Sequence, residues 1–336
     1  MKKLNNHDLA QARQKAIYGA DKVFILEKLK FIKEVKNSNI QTKEEFRNLL
    51  LNHEHTGEEN GFLKYRNTEN IFSSYLITES TENNIKVNCI ENNIISYLKK
   101  LNDIKKYNKS VTSDFNSCQA KNLIEYLTLQ KSRNIENKLK VLDYMTSNNH
   151  SYKLSKENII MYQEDFNKHM IDYYYDNLKI YSAKLKHFIR LNIVSDNLKS
   201  NLIFVSEYDV VNLDFFNKTL STFKQKNDIL NKYSEYLLNI ELMVINQNVL
   251  YMFVDSSYLK LEKTDKELIQ KFIAQNWNTF SILSSLKYAI VSKEPESINY
   301  ITNLLYNLYE YDSLDFIHQN NSYLTLEDIY IQLKNI

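Results

Sequence analysis

The chain has 336 residues, of which 43% are hydrophobic, and its formal net charge is +2. This length allows one large or two ordinary domains with a sizeable core, and the composition excludes an intrinsically disordered chain. A net charge so close to zero gives no overall field that would attract nucleic acid or a membrane surface. The two cysteines, Cys89 and Cys118, are too few for a disulfide-rich secreted domain.

The N-terminus and the longest apolar run indicate where the protein resides. Lys2 and Lys3 lead into polar residues and not into the apolar core of a secretory signal peptide. The longest unbroken apolar run, Val249–Val254, is far shorter than the roughly 20 residues that a membrane-spanning helix needs. We therefore expect a cytoplasmic protein without a membrane span, although export by a signal-less route would leave no trace in the sequence.

The scarcity of glycine and proline determines the predicted fold class. Three glycines and one proline leave few residues for tight β-hairpin turns, whereas helices can be joined by Asn- and Ser-rich connections. We therefore predict a mainly α fold, a multi-helix bundle or irregular helical array around a long central helix, with a small N-terminal α+β portion. The composition is also typical of an AT-rich genome, so the 25 tyrosines are interpreted as core and boundary residues.

Helices are predicted at the start of the N-terminal region. One or two helices are expected over residues 8–36, and a further helix runs from Thr42 to about His53. The start of this further helix matches a capping box, in which Thr42 and Glu45 satisfy each other's backbone N–H groups.

Short strands are predicted to follow within residues 61–90. Their ranges are 61–66, 74–78 and 84–90, which are short, bounded by turn residues and, in the last case, alternate apolar and polar residues. A further short strand is placed at 202–205, where a buried helix end fits the pattern equally well. All β structure is therefore expected in 61–90, apart from this short piece.

The long central helix is predicted over residues 155–194. Apolar residues recur there every three or four positions, close to the 3.6-residue period of a straight helix, and no Gly or Pro interrupts them. Such a helix would be roughly 55 Å long and would support the other helices. The recurring apolar residues are Ile159, Tyr162, Phe166, Met170, Tyr174, Leu178, Tyr181, Leu185 and Phe188.

Helices are predicted for most of the remaining chain. Their expected ranges are 91–107, 118–146, 212–231, 234–254, 265–276, 280–292, 296–309 and 326–335. The polar stretch 109–117 separates two predicted domains, a small α+β region over residues 1–110 and a helical domain over residues 111–336.

Sequence motifs for the familiar cofactor chemistries are absent. The few glycines form neither a G-x-G-x-x-G fingerprint nor a P-loop, and the chain contains no HExxH or CxxC. His53 and His55, together with Glu58 and Glu59, could ligate a metal, but such residues are typical of a solvated loop. We therefore expect no metal and no cofactor. The familiar nucleotide-binding, α/β-hydrolase, kinase and zincin classes are set aside and a non-enzymatic protein is expected, although a novel or degenerate enzyme would carry none of these motifs.

Arg47 and His53 are the catalytic candidates. An Arg followed by a His after five intervening residues resembles the R-x4-6-H motif of HEPN ribonucleases. The resemblance covers seven residues, and it implies a helical enzyme that uses the pair to handle RNA phosphate and proton transfer. In the alternative interpretation, Arg47 lies on the surface and His53 benefits from the dipole at a helix C-terminus. We adopt this alternative, so neither residue is expected to be catalytic.

A lysine cluster is the candidate nucleic-acid site. Lys99, Lys100, Lys105 and Lys106 lie on the predicted helix 91–107 and could contact phosphates. The predicted order of helix, turn, capped helix and strands also suits a winged helix. However, lysines at a helix end usually form a solvated face, and the would-be recognition helix holds few cations.

The preferred function is therefore a non-enzymatic helical protein–protein interaction module with an adaptor, immunity-type, effector or accessory role. Its partner is expected to be a protein, which the sequence does not identify. The first alternative is a nucleic-acid-binding regulator that uses the winged-helix-like N-terminal region. The second alternative is a HEPN-like ribonuclease.

Overall fold

The computed structural model describes residues 6–7, 17, 19, 22–51, 61–67, 73–74, 89–94, 118–133, 172, 174–180, 187–192, 204–206, 210–213, 231–237, 239–246, 248–285, 289–292 and 298–310. These residues form a mixed α/β structure in which antiparallel sheets and helices share one main hydrophobic core.

The bounds of the described elements are as follows. The strands are β1 (Asn6–His7), β2 (Lys22–Leu26), β3 (Leu63–Asn67), β4 (Ser73–Ser74), β5 (His187–Asn192), β6 (Val205–Ser206), β7 (Val210–Asn212), β8 (Glu241–Asn246), β9 (Val249–Val254) and β10 (Ala289–Ser292). The helices are α1 (Lys28–Asn37), α2 (Lys43–Leu51), α3 (Cys118–Arg133), α4 (Ser234–Leu237), α5 (Ser256–Leu259), α6 (Lys263–Ser284) and α7 (Ile298–Glu310). Residues 89–94 and 174–180 are also helical.

The prediction of a mainly α fold is wrong, because the described residues form two four-stranded antiparallel sheets. Sheet I has the strand order β3-β2-β10-β6, and sheet II has the order β5-β9-β8-β7. A separate pair is formed by β1 and β4. The prediction that β structure is confined to residues 61–90, apart from 202–205, is wrong for the same reason. Of the described strands, only β3 and β4 lie within 61–90.

The β8–β9 hairpin replaces most of the helix predicted over residues 234–254. Successive residues of β9 alternate between two hydrophobic clusters, so both faces of sheet II are buried. A strand buried on both faces forms a continuous apolar run and lacks the polar alternation that would identify it. The turn requires no Gly, because Asn246 Oδ1 accepts a hydrogen bond from the backbone N–H of Asn248 at 2.8 Å. The shortage of glycine was therefore a poor argument against hairpins.

The predicted central helix 155–194 is also wrong, because its C-terminal part is strand β5. This strand pairs with β9 along its whole length, from His187 opposite Val254 to Asn192 opposite Val249. Residues 174–180 are helical, as predicted, but residues 155–171 and 181–186 lie outside the described residues.

Helix α6 is the long helix that contacts both sheets. Its 22 residues span roughly 33 Å. The residues from Trp277 to Ser285 are all buried, so the end of the helix is enclosed on every side. It contacts β6 of sheet I and both β5 and β7 of sheet II. The sequence predicted this region as two helices, 265–276 and 280–292, but the break between them does not exist and residues 289–292 form β10.

Two hydrophobic clusters lie on opposite faces of sheet II. The larger cluster contains the inner residues of sheet I together with residues of α1, α2, α6 and α7. The smaller cluster contains residues of α3, Ile90, Ile94 and Tyr174 against the other face of sheet II. Sheet I takes β2 and β3 from residues 1–110 and β6 and β10 from residues 111–336. The predicted division at residue 110 stays a prediction.

Several helix predictions are confirmed. Thr42 Oγ1 accepts from the backbone N–H of Glu45 at 3.2 Å, and Glu45 Oε2 accepts from the backbone N–H of Thr42 at 3.0 Å, which completes the predicted capping box of α2. Helix α7 matches the predicted range 296–309, and α3 matches the start of 118–146. The prediction for 8–36 is correct over α1 and wrong over β2. Further predictions fall partly or wholly outside the described residues, namely those for 74–78, 84–90, 91–107, 134–146, 212–231 and 326–335.

Candidate interaction surface

Arg47, the described member of the predicted ribonuclease pair, lies on α2. Its Nη1 is 3.9 Å from Glu44 Oε1, and both side chains are substantially exposed. An exposed ion pair at this distance contributes little to stability. His53 lies outside the described residues, so the non-catalytic role of Arg47 and His53 stays a prediction.

The other predicted site residues also lie outside the described residues. They are His55, Glu58 and Glu59 of the metal candidate and Lys99, Lys100, Lys105 and Lys106 of the nucleic-acid candidate. Within the described part of the chain, no group of three or more His, Cys, Asp or Glu side chains could hold a metal ion.

Lys28 has a structural role at the end of the long helix. Its side chain is 1% exposed, and its Nζ donates to the carbonyl oxygens of Ile282 at 2.6 Å, Leu283 at 3.2 Å and Ser285 at 2.8 Å. These oxygens belong to the C-terminal turn of α6, where carbonyl groups lack helical donors and the helix dipole favours a positive charge. Lys28 therefore joins the β2–α1 connection to the end of α6.

A second buried charge, Glu241, joins α3 to sheet II. Its Oε1 accepts from Lys131 Nζ and from Asn212 Nδ2, each at 2.5 Å. Because a buried carboxylate is costly unless it is paired and hydrogen-bonded, these two contacts of Oε1 stabilise the charge of Glu241 in its buried position.

A third polar cluster fastens the residues before α4 to the first turn of α6. The Tyr233 hydroxyl donates to Asp265 Oδ1, and Lys232 Nζ lies 3.4 Å from the same oxygen and 4.7 Å from the centroid of the Tyr233 ring. The pKa of Asp265 is lowered, mainly by the hydrogen bond that it accepts from Tyr233. The pKa of Lys232 is raised, mainly by a side-chain hydrogen bond with Tyr233.

The most exposed large apolar side chain of the described residues is Tyr65, on β3. It is 52% exposed. Its ring centroid lies 4.9 Å from that of Phe24, the residue directly opposite on β2, and Lys22 Nζ lies 5.8 Å from the Tyr65 ring centroid. We call Lys22, Phe24 and Tyr65 the Tyr65 surface.

The alternation of strand residues explains why these three side chains share one face. Val23 and Ile25 are buried in the larger hydrophobic cluster, so strand alternation places Lys22 and Phe24 on the opposite face of β2. Phe24 is half-buried and also packs against that cluster, whereas Lys22 is exposed. The register of β2 with β3 then places Tyr65 beside Phe24.

Gly61 and Phe62 fix β3 against the end of α2. The backbone N–H of Phe62 donates to the carbonyl oxygen of Leu50 at 3.1 Å. A Cβ at position 61 would lie 2.9 Å from the carbonyl oxygen of Leu51, so this position requires Gly. The backbone N–H of Glu27 donates to the Phe62 carbonyl at 2.8 Å and continues the pairing beyond β2.

The β2–β3 pair carries an excess of positive charge. Glu27 Oε2 lies 2.8 Å from Lys64 Nζ, and Glu27 Oε1 lies 3.5 Å from Lys30 Nζ. Two ammonium groups therefore share one carboxylate at this end of the pair, and Lys22, at the other end of β2, takes part in no ion pair within the described residues. The Tyr65 surface is therefore aromatic and locally basic, although the whole chain is nearly neutral.

The two edges of sheet I differ. At the β6 edge, the backbone of Phe204 is held by side chains of α6, since its N–H donates to Asn278 Oδ1 and its carbonyl accepts from Trp277 Nε1, both at 2.9 Å. At the other edge, β3 pairs with β2, and no described strand pairs with its outer side. An open edge strand offers N–H and C=O groups to an added strand.

The helix predicted over residues 8–36 includes residues 22–26, so the sequence pattern does not predict this surface. The segment Lys-Val-Phe-Ile-Leu is rich in β-branched and aromatic residues, which is a signal of a strand. The remaining exposed large apolar residues of the described part, Tyr175, Ile180 and Leu268, belong to helices.

No protein-family model, no curated protein and no solved structure matches the chain. Among the helices that the structure describes, none is long and apolar enough to cross a lipid bilayer. The functional inference therefore rests on the chemistry of the described surface.

Proposed function

We propose that this protein is a non-enzymatic protein–protein interaction module with an adaptor, immunity-type, effector or accessory role. The observation that carries the proposal is the Tyr65 surface, whose exposed aromatic ring lies on β3, the strand of sheet I whose outer side pairs with no described strand. Tyrosine is enriched at protein interfaces, because it provides a large contact area and a polar group at little cost in conformational entropy.

The buried ionisable groups support the same proposal. Lys28 is hydrogen-bonded to carbonyl groups of α6, and Glu241 is bonded to Lys131 and Asn212. These contacts stabilise the fold, so neither buried charge requires a ligand-binding role to explain it.

The direct test is to identify bound molecules in the native cell and then to reconstitute each candidate complex from purified components. Cross-linking at position 65 restricts recovery to molecules that contact the Tyr65 surface, and cross-linking at position 268 on α6 is the matched control. We expect a protein whose affinity depends only modestly on salt and falls when Tyr65 is replaced by Ser.

Nucleic-acid binding through the lysine cluster is the competing proposal. A protein that neutralises several phosphates loses about a thousandfold or more in affinity between roughly 50 and 200 mM salt. If nucleic acid is recovered with such a dependence, and if neutralising Lys99, Lys100, Lys105 and Lys106 weakens it, the interaction proposal is wrong.

The ribonuclease alternative has its own test. We expect the purified protein to leave RNA intact. If it cleaves RNA, and if either Arg47→Ala or His53→Ala abolishes cleavage while the circular dichroism spectrum is preserved, the non-enzymatic proposal fails.

A further inference from the structure

We propose that the outer edge of β3 binds an acidic, extended polypeptide segment, which adds a strand to sheet I beside the Tyr65 surface. This inference rests on the proposed interaction function and specifies its partner by chemistry and conformation. It follows from three features of the described residues, namely a strand edge beside which no described strand lies, an exposed aromatic ring and a local excess of positive charge.

The backbone of β3 provides the first feature. In an antiparallel pair, alternate residues direct their N–H and C=O groups towards the neighbouring strand, and the residues between them direct theirs away from it. β3 has five residues, so two or three of them offer both groups on the side away from β2. Five residues span about 17 Å, which matches a bound segment of about five to seven residues.

Tyr65 provides the second feature. The ring is held at one position by Phe24 and by the ammonium group of Lys22, yet about half of its surface remains exposed. An added strand would lie beside Tyr65 in the position that a neighbouring residue takes within a sheet. An apolar or aromatic side chain of the bound segment would cover the ring at this position.

The charge distribution provides the third feature and determines the chemical class of the segment. Lys22 lies at one end of β2, and the group formed by Glu27, Lys30 and Lys64 lies at the other end. A segment along β3 would therefore pass Lys22, which takes part in no ion pair within the described residues, at one end and two ammonium groups that share the single carboxylate of Glu27 at the other end. Carboxylate side chains on the segment would complement these groups, whereas basic side chains would be repelled.

The same charges disfavour a second copy of the chain as the occupant. Two β3 edges that paired with each other would bring two sets of these lysines together. A nucleic acid would match the charge, but it lacks the alternating N–H and C=O groups that complement a strand edge. An acidic polypeptide is the occupant that matches both the backbone and the side chains.

The experiment uses the full chain and a displayed library of random nine-residue peptides. We expect the selected peptides to be enriched in Asp and Glu and to carry an apolar residue between the acidic positions. Binding of a synthetic selected peptide should weaken by about tenfold or more in Tyr65→Ser and in Lys22→Glu, since Tyr65 is the central contact and Lys22 a local charge. The control variants Leu268→Ser and Lys260→Glu, at exposed positions of α6 and of the turn after α5, should leave affinity unchanged.

N-methylation of the peptide tests strand addition itself. Methyl groups on alternate backbone nitrogens should abolish binding for one set of positions and leave it nearly unchanged for the other set, because only alternate N–H groups face β3. Equal effects of both sets would overturn strand addition even if the peptide binds.

The remaining outcomes separate this inference from the proposed function. If selected peptides bind with unchanged affinity to Tyr65→Ser and Lys22→Glu, the interaction function stands and the β3 site is wrong. If oligonucleotides bind through Tyr65 and Lys22, or if Tyr65-dependent dimers form in size-exclusion chromatography, the acidic-peptide assignment is wrong. If neither peptides nor native proteins bind, both proposals fail.

Discussion

Lys28 illustrates how single residues connect distant parts of this chain. It lies directly after Glu27 at the end of β2, and its ammonium group reaches carbonyl oxygens more than 250 positions away in sequence. A lysine near the start of a helix is usually interpreted as a solvated residue, since the side chain is rarely buried without a partner. No local pattern in the sequence indicates the C-terminal turn of α6 as this partner.

Replacement of Lys28 by Met is expected to lower the free energy of unfolding by about 2–4 kcal/mol. Methionine has a similar volume but no donor, so the buried carbonyl groups of Leu283 and Ser285 would lose the hydrogen bond from Nζ. Urea unfolding followed by circular dichroism measures the loss. The matched control is Lys30→Met on the same helix. Its exposed ammonium group lies 3.5 Å from Glu27, which keeps its closer pair with Lys64, so the loss should be about 1 kcal/mol or less. Equal effects of the two substitutions would contradict the structural role of Lys28.

Glu45 gives a prediction about acid stability. Hydrogen bonds from the backbone N–H groups of Gln41 and Thr42 lower the pKa of this carboxyl below its usual value of 4.5. Because the pKa is lower in the folded state, the stabilisation is complete above about pH 4.5 and is lost as the pH falls through the folded-state pKa. The stability difference between the wild type and Glu45→Gln should therefore shrink when unfolding is measured at decreasing pH. Glu44→Gln controls for removal of a charge from the same turn, and a difference that stays constant down to pH 3 would refute the prediction.

At the scale of elements, the sequence patterns predicted helices that have one polar face, but they did not predict strands that are apolar on both faces. α2 and α7 have a buried face and a solvated face, so their helical period is visible. β8 and β9 are buried on both sides, and their apolar runs have no period that distinguishes a strand from a helix. In β5, Phe188 continued the helical spacing of the preceding residues, although neighbouring Phe188 and Ile189 lie in different hydrophobic clusters.

The stability of the β8–β9 turn is expected to depend on the side chain of Asn246, whose Oδ1 accepts a hydrogen bond within the turn. Asn246→Ala removes the hydrogen bond from the Asn248 N–H to Oδ1 and should destabilise the protein by about 0.5–1.5 kcal/mol in urea unfolding. Asn239→Ala, at an exposed position just before β8, is the matched control and should change stability by less than about 0.5 kcal/mol. An unchanged midpoint in Asn246→Ala would show that the turn is formed by the backbone alone.

The interaction surface could be predicted only in part, because it depends on how two distant strands pair. The strand-like composition of residues 22–26 is visible in the sequence, but the partner strand β3 begins 37 positions after Leu26. Register places Tyr65 beside Phe24, and register depends on Gly61 and Phe62 docking against α2. The exposed tyrosine therefore cannot be distinguished from the buried ones until the sheet is known.

At the scale of the whole molecule, sheet I joins the two ends of the described chain. Its central strands β2 and β10 pair antiparallel, with Ile25 opposite Ile290. Ile25 and Trp277 of α6 belong to the same hydrophobic cluster, which also contains residues of sheet II. Independent folding of residues 1–110 would require β2 and β3 to be stable without β10, and a two-stranded pair is marginally stable in water.

We therefore expect a substitution in β2 to change the unfolding of the whole core. Ile25→Ala should cost about 2–5 kcal/mol, because it leaves a cavity at a buried position. Trp277 is the sole tryptophan of the chain, so its fluorescence reports on α6, far from Ile25 in sequence. The urea midpoints from Trp277 fluorescence and from circular dichroism should fall together in Ile25→Ala, while Lys22→Ala, three positions earlier and exposed, should leave both nearly unchanged. If the circular dichroism midpoint falls and the Trp277 midpoint does not, the N-terminal region unfolds on its own and the division at residue 110 is a real domain boundary.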